Sequence, residues 1–162
     1  MPCLSLQSPL GPMTLTEIDG GVTSLEWRWS KVQEETGRLA LVRDQLADYF
    51  DGRLTDFSLP LAPLGTPFQH RVWRAISNIP YGEVRSYGQL AKTLKTGPRA
   101  VGTACARNPL PVLIPCHRVV GANGALTGYT GANGLASKGF LLDLEGVGDT
   151  LIKFTGQVST RP

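Results

Sequence analysis

Apolar and polar positions alternate through the first thirty residues and then change to a helical period. Leu4 to Gln7, Met13 to Ile18 and Val22 to Trp29 read as three short strands. Between them lie Ser8-Pro9-Leu10-Gly11-Pro12 and Asp19-Gly20-Gly21, both turn-forming by composition. This pattern predicts an antiparallel meander. Leu39, Val42, Leu46 and Tyr49/Phe50 then recur at helical spacing, predicting an amphipathic helix over 37–50 that Gly52 ends. Residues 53–65, with Pro60, Pro63 and Gly65, read as a linker.

The second half is built of shorter helices with strong start signals. In Thr66-Pro67-Phe68-Gln69 the threonine caps, proline takes the first helical position, and glutamine completes a capping box. That helix carries Phe68, Val72, Trp73 and Ile76 toward a core until Pro80-Tyr81-Gly82 breaks it. Ser86-Tyr87-Gly88-Gln89 is a second capping box, opening a helix to about Leu94. Thr96-Gly97-Pro98 turns the chain into a third helix over 99–107, and the pair suggests a helix-turn-helix. The third helix is lined with small residues: Ala100, Gly102, Thr103, Ala104 and Ala106. Either it packs tightly in the core, or it lies in a nucleic-acid groove. The apolar run Val112 to Ile114 predicts a buried strand that Pro115 ends. Gly121-Ala122-Asn123-Gly124 is a turn, Leu126 to Gly131 a polar Gly-rich loop, and 135–144 a last helix presenting Leu135, Phe140, Leu141 and Leu144 to the core. The tail to Pro162 carries no pattern. The expected fold is therefore α+β: a small antiparallel-sheet domain with one helix over 1–65, and a mostly helical, winged-helix-like domain over 66–162.

Composition narrows the function classes. At 162 residues, 41% hydrophobic and 18% charged, the chain is globular in composition. No apolar run approaches membrane-spanning length, and residues 1–15 lack the basic start and long apolar stretch of a signal peptide. Cys3, Cys105 and Cys116 make an odd count without CxxC spacing, and the histidines are His70 and His117 alone. The expectation is a cytoplasmic protein with reduced thiols, no metal and no cofactor. The net charge of +3 is unevenly spread. Residues 1–65 hold five Lys/Arg against nine Asp/Glu, net −4; residues 66–138 hold nine against Glu83 alone, net +8. The basic stretch is either a phosphate-binding face or a solvated one, and the acidic balance of the first half argues against DNA contact there.

One tetrapeptide carries chemistry. Pro115-Cys116-His117-Arg118 sets a thiol beside an imidazole and a guanidinium. A thiol is a strong nucleophile only as thiolate, and free cysteine is a few per cent ionised at neutral pH, so a neighbouring base and cationic surroundings matter. A buried structural cysteine beside a packed histidine has the same local sequence.

The flanks extend the pattern. Asn108-Pro109-Leu110-Pro111-Val112-Leu113-Ile114-Pro115-Cys116-His117-Arg118-Val119 resembles the active-site signature of the 6-O-alkylguanine-DNA alkyltransferases, closely over 66–146 and in general layout over 1–65. The resemblance implies single-turnover repair of duplex DNA: the alkylated guanine is flipped out of the stack and its alkyl group passes irreversibly to Cys116. It implies His117 as the base, acting through a water and oriented by Glu145, with Asn108 bracing the turn around the cysteine and Tyr87 donating to the leaving guanine. Without it, Tyr87 reads first as a core aromatic with a satisfied hydroxyl. The pocket is implied at Tyr129, Thr130, Val119 (by its backbone carbonyl) and Pro111. The helix led by Arg99 is implied to enter the minor groove without sequence preference, Arg99 filling the space of the flipped base. Ala100, Gly102, Thr103, Arg107, Ser86, Lys92 and Lys95 are its companions on DNA, with Arg71 and Arg74 as further phosphate contacts. A monomer with no membrane partner is expected. Two other readings use the same residues: a catalytically weak protein that binds alkylation damage, and a cysteine hydrolase. One departure stands out. The stretch Tyr129-Thr130-Gly131-Ala132-Asn133-Gly134-Leu135 is two residues longer than the family usually has. It either bulges harmlessly into solvent or alters which adducts fit.

Overall fold

The computed structural model describes residues 1–124 and 134–147 and divides the chain into two compact units, Met1–Leu64 and Gly65–Pro162. The first unit is a three-stranded antiparallel sheet in sequential order, β1 (Cys3–Ser8), β2 (Gly11–Ile18) and β3 (Gly21–Glu26), with helix α1 (Gly37–Phe50) packed on it. Cys3 faces Thr16 and Ser8 faces Gly11 across β1 and β2, and a bulge at Thr16/Glu17 shifts the register against β3. The third strand stops at Glu26 rather than running to Trp29, which is 52% exposed. Thr36 caps α1 by accepting from the Leu39 amide and also donates to Glu17, fixing the helix start to the sheet. Leu39, Val42, Leu46 and Tyr49 bury the helix face that the sequence period marks. The stretch read as a linker is partly ordered by the sheet: the Val22 amide donates to the Pro60 carbonyl and the Ala62 amide to the Val22 carbonyl.

The second unit is helical. α2 (Pro67–Ser77), α3 (Tyr87–Leu94) and α4 (Pro98–Ala106) pack on one another, and both capping boxes read from the sequence are formed. Val72 and Ile76 of α2 are fully buried; burying such a side chain contributes about 1.5–3 kcal/mol. The Trp73 indole donates to the Ala104 carbonyl, tying α2 to α4. Lys95, in the left-handed region at φ 57°, ends α3 and turns the chain toward α4. The helix-turn-helix is therefore formed, and the fold is the α+β arrangement expected.

Two readings fail locally. Val112 to Ile114 is not a strand but a tight turn. Pro109, Pro111 and Pro115 remove the backbone donors a ladder needs. The chain instead closes on itself through the Ile114 amide to the Leu110 carbonyl. Val112 adopts φ 72°, an unusual and costly conformation for a β-branched residue. The strand comes later, as β5 (Val119–Val120), paired in parallel with β4 (Arg85–Ser86). The last helix, α5 (Leu135–Leu144), has the expected span but a different inner face. Leu135 and Phe140 point outward, at 47% and 39% exposure, while Ser137, Lys138, Leu141 and Leu142 are buried. Polar groups take inward positions because α5 packs against the Cys116 turn, where charge is needed.

Candidate active site

Cys116 opens a single 3-10 turn, Cys116–Arg118, between the Val112 turn and β5. The residue is only 6% exposed. Asn108 holds it from the other side of the turn: the Asn108 amide nitrogen donates to the Ile114 carbonyl at 2.9 Å and lies 3.2 Å from Cys116 Sγ. Asn108 Oδ1 in turn accepts from the Leu110 amide at 2.9 Å. One side chain thus satisfies two backbone groups of the turn and leaves one donor for sulfur. Burial pushes the Cys116 thiol up, while the Asn108 hydrogen bond and the charge of Lys138 act in the opposite direction.

His117 is fully buried and sits 2.8 Å from Glu145 Oε2 through Nε2. Burial tends to raise the Glu145 carboxyl, but hydrogen bonds from His117 and Arg118 outweigh it and bring it down to about 2. Glu145 is therefore ionised and can only accept. Burial lowers His117 against the pull of Glu145, so the ring is neutral with its proton on Nε2. That tautomer leaves the lone pair on Nδ1, which is buried and has no hydrogen-bond partner among the described residues. Nδ1 is thus the ring nitrogen left to accept a proton.

Arg118, read from sequence as part of the thiol's cationic surroundings, faces elsewhere. It pairs with Glu145 by two bonds, Nε to Oε1 at 2.8 Å and NH2 to Oε2 at 3.0 Å, and donates from NH1 to the Ile79 carbonyl at 2.7 Å. Its guanidinium also lies 5.7 Å from the Tyr81 ring centroid. It neutralises the carboxylate at the C-terminal end of α5, where a negative charge is otherwise disfavoured. The other buried cation among the described residues of this unit is Lys138, on α5. The sequence carries a signal for it: Lys138, Leu141, Leu142 and Glu145 share one helical face.

Tyr87 reaches this cluster through the short parallel pair, in which Arg85 faces Val119 and Ser86 faces Val120. Its ring centroid is 5.7 Å from Lys138 Nζ, and a Cβ added at Gly102 of α4 would stand 4.0 Å from it. Val119 is fully buried in β5, and Pro111 is partly buried at the Val112 turn. Tyr129, Thr130 and the extended stretch to Asn133 lie outside the described residues. The residues expected on DNA are placed on the outside of the helix-turn-helix. Arg99, Thr103 and Arg107 are exposed on or just after α4, with Ala100 and Gly102 partly buried beside them. Lys92 and Lys95 are exposed at the end of α3, and Ser86 is spent as its cap. Among the described residues no three His, Cys, Asp or Glu side chains converge as a metal site.

Comparison with known proteins covers both units. Residues 67–147 match the family model of the 6-O-methylguanine DNA methyltransferase DNA binding domain, and residues 2–63 that of the ribonuclease-like domain. The constitutive methylated-DNA–protein-cysteine methyltransferase of Bacillus subtilis (strain 168) is 43% identical, over 86% of this chain and 92% of its own. The Mycobacterium leprae methylated-DNA–protein-cysteine methyltransferase is 45% identical, over 88% and 91%. Among solved structures, Mycobacterium tuberculosis OGT in complex with DNA superposes with a TM-score of 0.80 at 42% identity, covering 90% of this chain and 92% of that one.

Proposed function

From the premise that this chain belongs to the 6-O-methylguanine DNA methyltransferase family, we propose that Cys116 is its alkyl acceptor and that Asn108, His117, Glu145 and Tyr87 form the machinery around it. The protein is a DNA-repair methyltransferase that acts by direct reversal, moving the alkyl group from DNA to a cysteine of its own. The observation that carries the assignment of residues is that two hydrogen-bonded sets, Asn108 with Cys116 and His117 and Arg118 with Glu145, meet at one turn and one helix end.

The chemistry follows from these groups. His117 Nδ1 takes the Cys116 proton through a bridging water, and Glu145 steadies the resulting imidazolium, as in nucleophile–base–orienter arrangements generally. The thiolate attacks the alkyl carbon of 6-O-alkylguanine. One S–C bond forms and the C–O bond breaks, its electron pair leaving on the 6-oxygen side of guanine. Tyr87 donates as that charge builds, and guanine departs with the proton the thiol gave up. The product is a thioether, which none of these groups can cleave, so each chain reacts once. The target base must leave the stack first, at a cost of a few kcal/mol. α4 supports this from the minor groove, with Arg99 in the vacated space and its small residues allowing close approach. Val119, by its backbone carbonyl, and Pro111 contribute to the pocket for the base. The protein works as a monomer, and three unpaired thiols suit the reducing cytoplasm.

The test is intact mass and peptide mapping after incubation with a methylated duplex oligonucleotide. One methyl per chain, on the Cys116 peptide, is expected, with no reaction in Cys116→Ser. A methyl on Cys3 or Cys105, or repeated turnover, refutes the assignment.

A further inference from the structure

Pro80-Tyr81-Gly82, which breaks α2 in the sequence, forms a tight turn. The Glu83 amide donates to the Pro80 carbonyl at 3.1 Å, and Gly82 takes φ 82° at the third position, where such a turn favours glycine. Tyr81, at the second position, reaches the C-terminal end of α5. That end is a Schellman closure. Gly146 is left-handed at φ 79°, its amide donates to the Asp143 carbonyl at 3.0 Å, and the Val147 amide donates to the Leu142 carbonyl at 2.9 Å. Val147 and Leu142 are fully buried with Val120, and Val84 packs against them. The Glu145 amide meets the Leu141 carbonyl at 3.1 Å. The remaining one of the last four helix carbonyls, Leu144, accepts from the Tyr81 hydroxyl at 3.3 Å.

The same turn meets the buried network at three more points. The Ile79 carbonyl accepts from Arg118 NH1 at 2.7 Å, the Tyr81 ring centroid lies 5.7 Å from the Arg118 guanidinium, and a Cβ added at Gly82 would stand 3.4 Å from the Glu145 carbonyl oxygen. We propose that Tyr81 is a positioning residue for alkyl transfer: with its hydroxyl on the Leu144 carbonyl and its ring against Arg118, it fixes the Glu145 carboxylate that keeps the His117 proton on Nε2; the inference rests on His117 being the base that serves Cys116. Leu144 immediately precedes Glu145, so a tether at its carbonyl sets the backbone from which the carboxylate projects. The ring lies against the guanidinium to which that carboxylate is bound twice, and an aromatic face attracts such a cation. Burial and the charge of Glu145 push the Tyr81 phenol up, against the effect of Arg118, so the hydroxyl keeps the proton it donates. A neutral imidazole whose Nε2–H is not held shares its proton between both nitrogens, and in the Nδ1–H form Nδ1 cannot accept one.

The experiment uses the full chain with Tyr81→Leu, which removes hydroxyl and ring, and Tyr81→Phe, which removes the hydroxyl alone. The His117 tautomer is read from the ring nitrogen shifts of histidine-labelled protein, at a pH where the ring is neutral. His70 is the one other histidine, and His70→Gln assigns the two spectra. Single-turnover transfer from methylated duplex DNA and melting temperature are measured beside it. Tyr81→Leu is expected to give His117 a clear Nδ1–H population and to slow transfer about tenfold, a part of what a general base is worth. Tyr81→Phe should keep most of the Nε2–H form and slow transfer about threefold, the scale of one neutral hydrogen bond. A His117 spectrum unchanged in a folded variant overturns the proposal, even where the melting temperature and the rate both fall, because that is the signature of a structural prop. A changed spectrum with an unchanged rate overturns it too. Should Tyr81→Leu not fold, Tyr81→Phe decides by the same two readouts. His117→Gln, assayed alongside, separates the two readings: transfer at the full rate there means that His117 is not the base, and this inference fails with that assignment. Where His117→Gln is slow, an unmoved His117 spectrum in the Tyr81 variants refutes the role of Tyr81 alone.

Discussion

Glu145 accepts from His117 and twice from Arg118 in a buried site, so its protonation breaks a buried network. Its carboxyl is held at about 2 in the folded chain, against about 4.5 for the free group. A carboxyl with a depressed folded value stabilises above the unfolded value and loses that contribution as pH falls through the folded one. The difference corresponds to about 3 kcal/mol, fully present at neutral pH and lost between about pH 4.5 and 2. His117 acts with the same sign. Its folded value is lowered, so the unfolded chain binds the proton more readily and stability begins to fall below about 6.5. Urea unfolding at a series of pH values should therefore show stability dropping from near 6.5 and steepening below 4.5. Glu145→Gln should cost about 3–5 kcal/mol at neutral pH by leaving Arg118 buried without its carboxylate and should flatten the acid limb. An acid limb unchanged in that variant would show that the stabilisation lies elsewhere.

At the scale of elements, the helix-turn-helix separates support from contact. Val101, Ala104 and Cys105 of α4 face inward, and Trp73 anchors it through the Ala104 carbonyl. Arg99, Thr103, Ala106 and Arg107 face out. Thr103 spends its hydroxyl on the Arg99 carbonyl at 3.1 Å, keeping it close to the helix surface. Arg99 therefore leads an outer face with little bulk behind it, the shape a groove admits. Arg99→Ala should slow repair of duplex DNA far more than reaction with the free alkylated base, since only the duplex requires flipping. Equal slowing of both, in single-turnover assays run side by side, would place Arg99 in the chemistry instead.

At the scale of the whole molecule, the +8 of residues 66–138 overstates the cationic surface. Arg118 and Lys138 are inside, and Arg85 is paired with Glu83 at 3.0 Å. Arg71, Arg74, Lys92, Lys95, Arg99 and Arg107 remain outside the buried core, with no ion pair to an acidic side chain among the described residues. We propose these as the phosphate contacts, which carry no sequence information. Affinity for random duplex should fall linearly on a log–log plot against salt, and each of Lys92→Ala and Arg107→Ala should reduce the slope by about 1. Salt-insensitive binding, or a strong preference for one unmodified sequence, would contradict this.

The sequence alone determined whatever depends on neighbours along the chain. Periodicity placed α1 and α2, because a helix buries every third or fourth residue whatever it packs against. Thr66/Gln69 and Ser86/Gln89 marked two helix starts, because a capping box closes within four residues. The run from Asn108 to Val119 announced its chemistry because its residues must be contiguous to form one turn. Tertiary structure decided the rest. Val112 to Ile114 has the composition of a strand, yet no neighbouring strand is offered to it, and the prolines with Asn108 close it as a turn. The inner face of α5 is invisible to a hydrophobic count because what it packs against is a thiol and an imidazole, so Lys138 and Glu145 go in while Leu135 and Phe140 stay out. Arg118 stands beside Cys116 in sequence but serves Glu145, twenty-seven residues on. A buried charge finds its counter-charge through space, and that distance is set only when the helices have packed.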